Sequence, residues 1–190
     1  MTKVLLILAA SLAACVSTAT AGDWYASIYG GINRNNVIEL PFVDSPDGEV
    51  IGATVGRNLA GIPGLRIEAD LSYRTNEVDL FGGFITANHE TAAAMFNVAY
   101  DIGGGPVKPY VMGGIGWAQT SATFENIALL RIEASDLAYQ AGAGATVPLA
   151  AGVRLGVGYR FFQGPVVEVL GVELSDGQNH SLIGSLSFDL

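Results

Sequence analysis

Cysteine is almost absent from this chain of 190 residues, which contains a single one, Cys15. One cysteine cannot form a disulfide within the chain, so a disulfide-stabilised secreted scaffold is excluded. Cys15 also lies in an N-terminal segment with the pattern of a removable leader. If that leader is cleaved off, the mature chain has no thiol, and thiol catalysis is excluded too.

Basic residues are also scarce. The sequence has 9 Lys and Arg against 18 Asp and Glu, a formal net charge of −9. Removal of residues 1–21 takes away only Lys3 among the charges, which leaves 8 basic and 18 acidic residues and a net charge of −10. Such a chain has no basic patch with which to neutralise phosphates, so nucleic acid is excluded as a partner.

Long hydrophobic runs are missing after residue 21, although half of the residues are hydrophobic and the mean hydropathy is +0.40. A membrane-spanning helix needs about 18 or more consecutive apolar residues. Here the apolar residues are interleaved with polar ones. The strands of a membrane β-barrel have this pattern, because they alternate lipid-facing and lumen-facing positions.

The N-terminal segment MTKVLLILAASLAACVSTATA has a basic Lys3, an apolar core from Val4 to Ala14 and small residues at Ala19–Ala21. It therefore reads as a signal peptide over residues 1–21, followed by one domain over residues 22–190. A second interpretation of the segment stays open. LAAC, residues 12–15, resembles a bacterial lipoprotein box, in which Cys15 would become the lipidated first residue.

Recognisable catalytic motifs are lacking as well. The sequence contains no G-x-S-x-G, H-E-x-x-H or G-x-G-x-x-G pattern, and it has two histidines, His89 and His180. Ser181 follows His180 directly, but neighbouring strand residues face opposite sides and cannot share a site. The sequence therefore predicts neither an enzyme nor a metal or cofactor site.

Strict alternation is the dominant pattern in what remains, and the stretch LRIEADLSYR (65–74) shows it over ten residues. Alternation of this kind indicates a strand. Eight candidate strands follow along the chain: 24–33, 49–58, 65–74, 91–101, 108–118, 136–147, 152–162 and 180–190.

The connections between these strands alternate in length. Three are short and contain a proline, at 59–64, 102–107 and 148–151, and four are long, at 34–48, 75–90, 119–135 and 163–179. Short periplasmic turns and long extracellular loops are typical of outer-membrane barrels. We therefore predict an all-β fold, an eight-stranded antiparallel up-and-down transmembrane β-barrel.

The two faces of the predicted strands differ sharply in charge. One face is apolar and carries a single charge, Arg57, near a strand end. The other face carries four basic and four acidic residues, which we predict to form a charge network in the lumen: Arg66, Glu68, Asp70, Arg74, Asp101, Arg154, Arg160 and Asp189.

A soluble lipocalin-type barrel has the same alternation with its apolar face inward. Alternation alone therefore does not decide whether the apolar face points outward to lipid or inward to a core. Aromatic residues favour the membrane, because they cluster near both ends of the strands, as at membrane interfaces. The predicted girdles contain Trp24, Tyr100, Tyr110 and Phe188 at the periplasmic end and Tyr73, Trp117, Tyr139, Tyr159 and Phe161 at the extracellular end.

Several blocks resemble the bacterial outer-membrane β-barrel family, the porin-like and OmpA-like eight-stranded group. They are KPYVMGGIGWA (108–118), LAYQAGAGATVPLAAGVRLGVGYRFF (137–162), HSLIGSLSFDL (180–190) and AAMFNVAYDIGGG (93–105). The resemblance implies an integral protein of the Gram-negative outer membrane. It also implies a C-terminal signal, Phe188 and Leu190, for the barrel-assembly machinery, although family members usually end in Phe.

Function is less sharply marked than fold. A lumen filled by charged side chains favours a structural or surface-interaction role, and the alternative is a narrow porin-like channel for ions or small solutes. Most of the acidic residues lie in the long connections, which points to contacts with outer-membrane lipid and lipopolysaccharide, or with a host or surface protein.

Overall fold

The computed structural model describes residues 23–35, 43–44, 47–80, 85–124, 131–169, 172–175 and 177–190. The strands in this part of the chain are β1 (Trp24–Asn35), β2 (Val43–Asp44), β3 (Gly48–Asn58), β4 (Leu65–Leu80), β5 (Ile85–Asp101), β6 (Lys108–Phe124), β7 (Arg131–Ala150), β8 (Val153–Gln163), β9 (Val167–Val169), β10 (Val172–Ser175) and β11 (Gln178–Asp189). No helix among these residues is long and apolar enough to cross a membrane. The predicted leader, with Cys15, lies outside the described residues.

The eight long strands form one antiparallel sheet that closes on itself. Their spatial order is β4-β3-β1-β11-β8-β7-β6-β5, and β4 also pairs with β5. The first strand pairs with the last, with Ile28 opposite Leu186. Closure leaves the barrel without an open edge, so the backbone groups of the long strands can pair within the sheet. The predicted eight-stranded barrel is confirmed.

The three short connections lie at one end of the barrel and are tight. In the first, the Leu59 amide donates to the Leu65 carbonyl over 2.9 Å. Gly64, near the end of this turn, has a φ of 85°, a conformation that side chains with a Cβ rarely adopt.

At the other end, the strands run further than the alternation predicted. Most of the predicted loop 75–90 is ladder, because β4 and β5 stay paired as far as Leu80 and Ile85. β6 and β7 likewise stay paired as far as Thr123 and Arg131. Continued pairing satisfies backbone groups that a loop would leave to water. β9 and β10 form a separate two-stranded hairpin within the predicted loop 163–179.

Candidate functional site in the barrel lumen

The charged side chains at the middle of the barrel point inward. Arg66, Glu68, Asp70, Arg74 and Arg160 are each no more than 7% exposed. Four of them occupy alternate positions of β4, so the strand period places them on one face. The opposite face is exposed and apolar, with Ile28, Phe96, Ile115, Leu137, Val157 and Leu182 each more than half exposed.

Asp70 is the centre of the first lumenal cluster. Its carboxylate accepts hydrogen bonds from the Tyr29 hydroxyl, over 3.0 Å, and from the Thr54 hydroxyl, over 2.8 Å. Arg160 reaches the same carboxylate with 3.3 Å between Nη1 and Oδ2, and it also donates to the Tyr29 oxygen over 2.8 Å. Four strands therefore meet at one buried carboxylate, whose charge is paired and whose oxygens are both in contact with donors.

Arg66 is the centre of a second cluster. Its guanidinium lies 3.3 Å from a Glu68 oxygen and 3.0 Å from an Asp101 oxygen, so it forms two ion pairs. It also donates to the Tyr25 hydroxyl over 3.1 Å, and Tyr25 in turn donates to Glu68. One cation is thus shared by two carboxylates and a phenol.

Arg154 and Asp189 form a separate pair close to the chain's C-terminal end. The Arg154 Nη2 atom lies 2.8 Å from Asp189 Oδ1, and the Asp189 side chain is 47% exposed. The Arg154 guanidinium also lies 5.0 Å from the centroid of the Tyr25 ring. An ion pair this open to solvent contributes little to the stability of the fold.

Arg74 is the predicted network residue that the structure does not bring to a carboxylate of the described residues. It is fully buried, donates to the Ser72 hydroxyl over 2.8 Å, and stacks 3.9 Å from the centroid of the Phe162 ring. Phe162 packs in an apolar cluster with Ala93, Met95, Ala118 and Ala138. This apolar cluster therefore lies next to Arg74 inside the barrel.

Uncharged amides extend the polar lumen beyond this apolar cluster. Asn33 donates to the side-chain oxygens of Asn76 and Asn179, over 3.2 Å and 2.7 Å, and accepts from the Ser181 hydroxyl over 2.7 Å. Alternation predicts that all four side chains are inward, but the prediction singled out charges and missed these residues. The same signal would have found Tyr25, Tyr29 and Phe162.

A small chamber of about 40 Å³ lies beside the two charged clusters. Its walls include Arg66, Glu68, Arg160, Tyr29 and Tyr110. Such a volume exceeds the roughly 10–15 Å³ that one water molecule needs, so the chamber has room for more than one water-sized occupant.

Tyr110 corrects one prediction. The sequence places it in the periplasmic girdle, but its ring lies 5.5 Å from the Arg66 guanidinium, on the lumenal side. The prediction is wrong because it uses height along the strand and ignores parity. Tyr110 has the parity of the buried Met112, whereas Val111 and Trp117 face outward.

The other predicted girdle residues share the outward parity. Tyr100, Trp117, Tyr139, Tyr159 and Phe188 are between 39% and 57% exposed. Trp24 lies beneath the Arg57 guanidinium, 5.6 Å from it, and Arg57 lies 3.9 Å from Asp23 at the strand end. Tyr73 pairs with Ala92 at the extracellular end, and Phe161 lies 6.3 Å from Tyr139, ring centroid to ring centroid.

The two histidines lie near the extracellular end but in different surroundings. The Nδ1 atom of His180 lies 2.5 Å from the Tyr159 hydroxyl, and its ring lies 5.4 Å from the Phe161 ring. Ser181, the next residue, is buried in the lumen. His89 lies beyond the extracellular girdle, opposite Asn76 and Ala122, and burial lowers its pKa.

A closed barrel with an apolar exterior, aromatic rims and a charged lumen is the architecture of an outer-membrane β-barrel. The family model of the outer membrane protein beta-barrel domain matches residues 6–179. The chain belongs to this family, and its location is the bacterial outer membrane. No curated protein matches the sequence.

Solved structures agree with the fold. Neisserial surface protein A is 14% identical, with a TM-score of 0.65 over 90% of this chain and 100% of that one. A major outer membrane protein of Thermus thermophilus is 11% identical, with a TM-score of 0.62 over 88% and 99%. The attachment invasion locus protein Ail of Yersinia pestis, solved with the heparin analogue sucrose octasulfate, is 14% identical, with a TM-score of 0.53 over 90% and 100%.

Proposed function

We propose that this protein is a structural and surface-interaction barrel whose lumen is closed to solutes. The observation that carries the proposal is the stack of Arg74 on Phe162, since both side chains are fully buried at one level of the lumen. An eight-stranded barrel is only wide enough for its side chains to fill it. Here a guanidinium, a phenyl ring and their apolar neighbours occupy that width.

A narrow channel is the second candidate, and the polar chamber beside Arg66 and Arg160 favours it. Conduction requires the chamber to connect past Phe162 to the extracellular end. Recording in planar bilayers separates the two functions. We expect no discrete conductance steps from the purified, refolded barrel, and steady, reproducible steps would overturn the closed-lumen proposal.

The acidic extracellular segments support a role in surface contacts. The long connections predicted from the sequence contain two basic residues, Arg34 and Arg131, and eleven acidic ones: Glu39, Asp44, Asp47, Glu77, Asp79, Glu90, Glu125, Glu133, Glu168, Glu173 and Asp176. This charge would repel a sulfated polyanion such as the one bound to Ail. We propose that it contacts lipopolysaccharide phosphates through divalent cations, or a basic patch on a host or surface protein.

Vesicles test the lipid part of this role. We expect the barrel's extracellular segments to bind lipopolysaccharide vesicles with Mg²⁺ present and to release them in EDTA. A variant in which the Glu residues of these acidic segments are changed to Gln serves as the control. It should bind the vesicles weakly both with Mg²⁺ and in EDTA. Equal binding by the two proteins would contradict the proposal.

Two features of biogenesis remain proposals, the processing of the N-terminal segment and the signal for assembly. Cleavage after Ala21 gives a mature chain starting at Gly22, and lipidation at Cys15 is the alternative. Phe188 and Leu190 would serve as the signal to the assembly machinery. The intact mass of the protein from outer-membrane fractions distinguishes cleavage from lipidation, and assembly of a Leu190→Phe variant measures what residue 190 contributes. We also propose no catalytic role.

A further inference from the structure

One side of the extracellular girdle carries a compact group of aromatic and polar side chains, which we call the rim patch. It consists of Tyr139 of β7, Tyr159 and Phe161 of β8, His180 of β11 and Arg34 of β1. These four strands are consecutive neighbours in the sheet. The register places His180 opposite Phe161 on one side and opposite Arg34 on the other. The five residues therefore form one continuous surface.

The rim patch faces outward, at the height where the lipid-facing surface ends. Along β11 the outward positions from Phe188 to Leu182 are apolar, and the next one is His180. Along β1 the outward position before Arg34 is Ile32, which is 54% exposed. Both strands change from apolar to polar at paired positions, as expected where the hydrocarbon of the outer leaflet gives way to lipid headgroups. A ligand of the rim patch is therefore a component of the membrane surface.

The aromatic part of the rim patch suits the face of a sugar. A sugar ring has a flat face of C–H groups, which packs on aromatic rings, and an edge of hydroxyls, which needs both donors and acceptors. Tyr139 is 50% exposed, and its ring centroid lies 6.3 Å from that of Phe161. The Phe161 ring in turn lies 5.4 Å from the His180 ring. The patch thus offers an accessible aromatic surface with a polar group at its edge.

Donors and acceptors lie beside this aromatic surface. The Tyr159 hydroxyl is 2.5 Å from His180 Nδ1, and when it donates there the ring proton stays on Nε2, which can donate to a ligand. Arg34 has a side chain that is 70% exposed, and its Nε donates to Asp47 over 2.7 Å. This pair presents N–H groups and a carboxylate together. Asp47 and the exposed Glu49 of β3 would repel a bare phosphate, whereas sugar hydroxyls can donate to them.

We propose that the rim patch binds the sugar headgroup of lipopolysaccharide, the glycolipid of the outer leaflet, directly and without a metal ion. The sugar ring packs on Tyr139 and Phe161. Its hydroxyls bond to His180 and to the Arg34–Asp47 pair, and its acyl chains lie on the apolar wall of β8 and β11 below. The inference rests on the proposed contact with lipopolysaccharide, but it adds a second site, on the side of the barrel, that needs no divalent cation.

Retention of lipid in EDTA tests the site, because EDTA removes the metal bridges proposed for the acidic segments. The wild-type barrel is refolded in an amine-oxide detergent, which has no sugar headgroup, and native mass spectrometry counts the lipid molecules that it retains. We expect a single molecule of deep-rough lipopolysaccharide per barrel, and retention of phosphatidylglycerol that is about tenfold weaker. Equal retention of the two lipids, or of neither, would overturn the proposal. Such a result leaves the Mg²⁺-dependent vesicle binding untouched, so the two proposals fail separately.

Matched variants on the outward face locate the site. Phe161→Leu keeps an apolar side chain but removes the ring, and it should weaken lipopolysaccharide retention about tenfold. Phe96→Leu, on the outward face of β5, should leave retention unchanged. Tyr159→Phe removes the hydroxyl that orients His180 and should weaken retention severalfold, with Tyr100→Phe at the periplasmic girdle as its control. Unchanged retention in Phe161→Leu would contradict the proposal.

A third measurement uses the wild-type barrel and its two histidines. His89 has the inward parity of the buried Thr91 and serves as an internal reference for His180. In NMR spectra recorded in EDTA, addition of deep-rough lipopolysaccharide should shift the ring signals of His180 and leave those of His89 in place. Unchanged His180 signals, or shifts of equal size with phosphatidylglycerol, would overturn the assignment.

Discussion

Arg160 of β8 and Asp70 of β4 meet across the lumen, with 3.3 Å between Nη1 and Oδ2, although 90 residues separate them in sequence. Their strands are not neighbours, since β11, β1 and β3 lie between them in the sheet. The pair therefore ties opposite walls of the barrel. It is also a buried pair, with the two side chains 7% and 0% exposed.

Replacement of Asp70 by Asn should destabilise the barrel strongly. The change leaves Arg160 buried without its carboxylate, and the loss of one partner of a buried pair costs on the order of 3–5 kcal/mol. The urea midpoint of unfolding in detergent measures this. Asp47→Asn is the matched control, because the Arg34–Asp47 pair is exposed and such pairs contribute about 0–1 kcal/mol. Equal losses for the two variants would show that the Asp70 cluster is not dry.

Phe162→Ala should open the lumen. The change removes the ring against Arg74 and costs about 3–5 kcal/mol of stability, as large-to-small changes in a packed core do. We expect discrete conductance steps from this variant in planar bilayers. Phe96→Ala, on the outward face, should remain silent. A silent Phe162→Ala barrel that retains its fold would place the closure elsewhere.

Gly52→Ala should disturb the lumen through shape alone. A Cβ at this position would overlap the Tyr29 ring and lie 2.7 Å from the Leu71 carbonyl oxygen, so the Asp70 cluster would have to shift. Overpacking of this kind costs about 1–3 kcal/mol. Gly184→Ala is the control, since a Cβ there meets nothing within 4 Å. The urea midpoint of unfolding should fall in Gly52→Ala and stay close to wild type in Gly184→Ala. An equally large fall in Gly184→Ala would argue against the packing explanation.

Val157→Arg tests which face contacts lipid. Val157 is 65% exposed and lies midway between Phe161 and Val153, the partner of Phe188. An arginine at the bilayer midplane of a barrel costs about 2–4 kcal/mol, and assembly into vesicles should fall accordingly. Val107→Arg, in an exposed connection at the periplasmic end, should assemble normally. Normal assembly of both variants would contradict the lipid-facing assignment.

His89 should give a small pH dependence. Its pKa is lowered by burial from the ordinary value of 6.5, so between the lowered value and pH 6.5 the unfolded chain binds a proton that the folded barrel does not. Its contribution to stability is therefore complete above pH 6.5 and falls as the pH drops through that window. The difference in urea midpoint between about pH 7.5 and about pH 5 should shrink in His89→Asn, with His180→Asn as the control. An unchanged difference in His89→Asn would show that other groups cause the pH dependence.

The sequence by itself determined the barrel and its strand faces. In the 65–74 stretch every second residue is apolar, and this period alone assigned Arg66, Asp70 and Arg74 to one side, because the strand repeat admits no other grouping. The alternation of three short, proline-containing connections with four long ones predicted that consecutive strands run up and down the barrel. Those signals are local, so they can be read along the chain.

Aromatic residues at the strand ends favoured the charged face as the inner one, but proof of that sense, and the choice of which residues meet inside, depended on the tertiary structure. A soluble barrel with the opposite sense has the same alternation and can close in the same way. The burial of Arg66, Asp70 and Arg74 shows that the charged face is the enclosed one. The contact of Arg160 with Asp70 and the stack of Arg74 on Phe162 follow from strand tilt and stagger around the barrel, which no local pattern encodes. The strand extensions to Leu80 and Ile85 were missed for the same reason, since a ladder continues only where a partner strand is present.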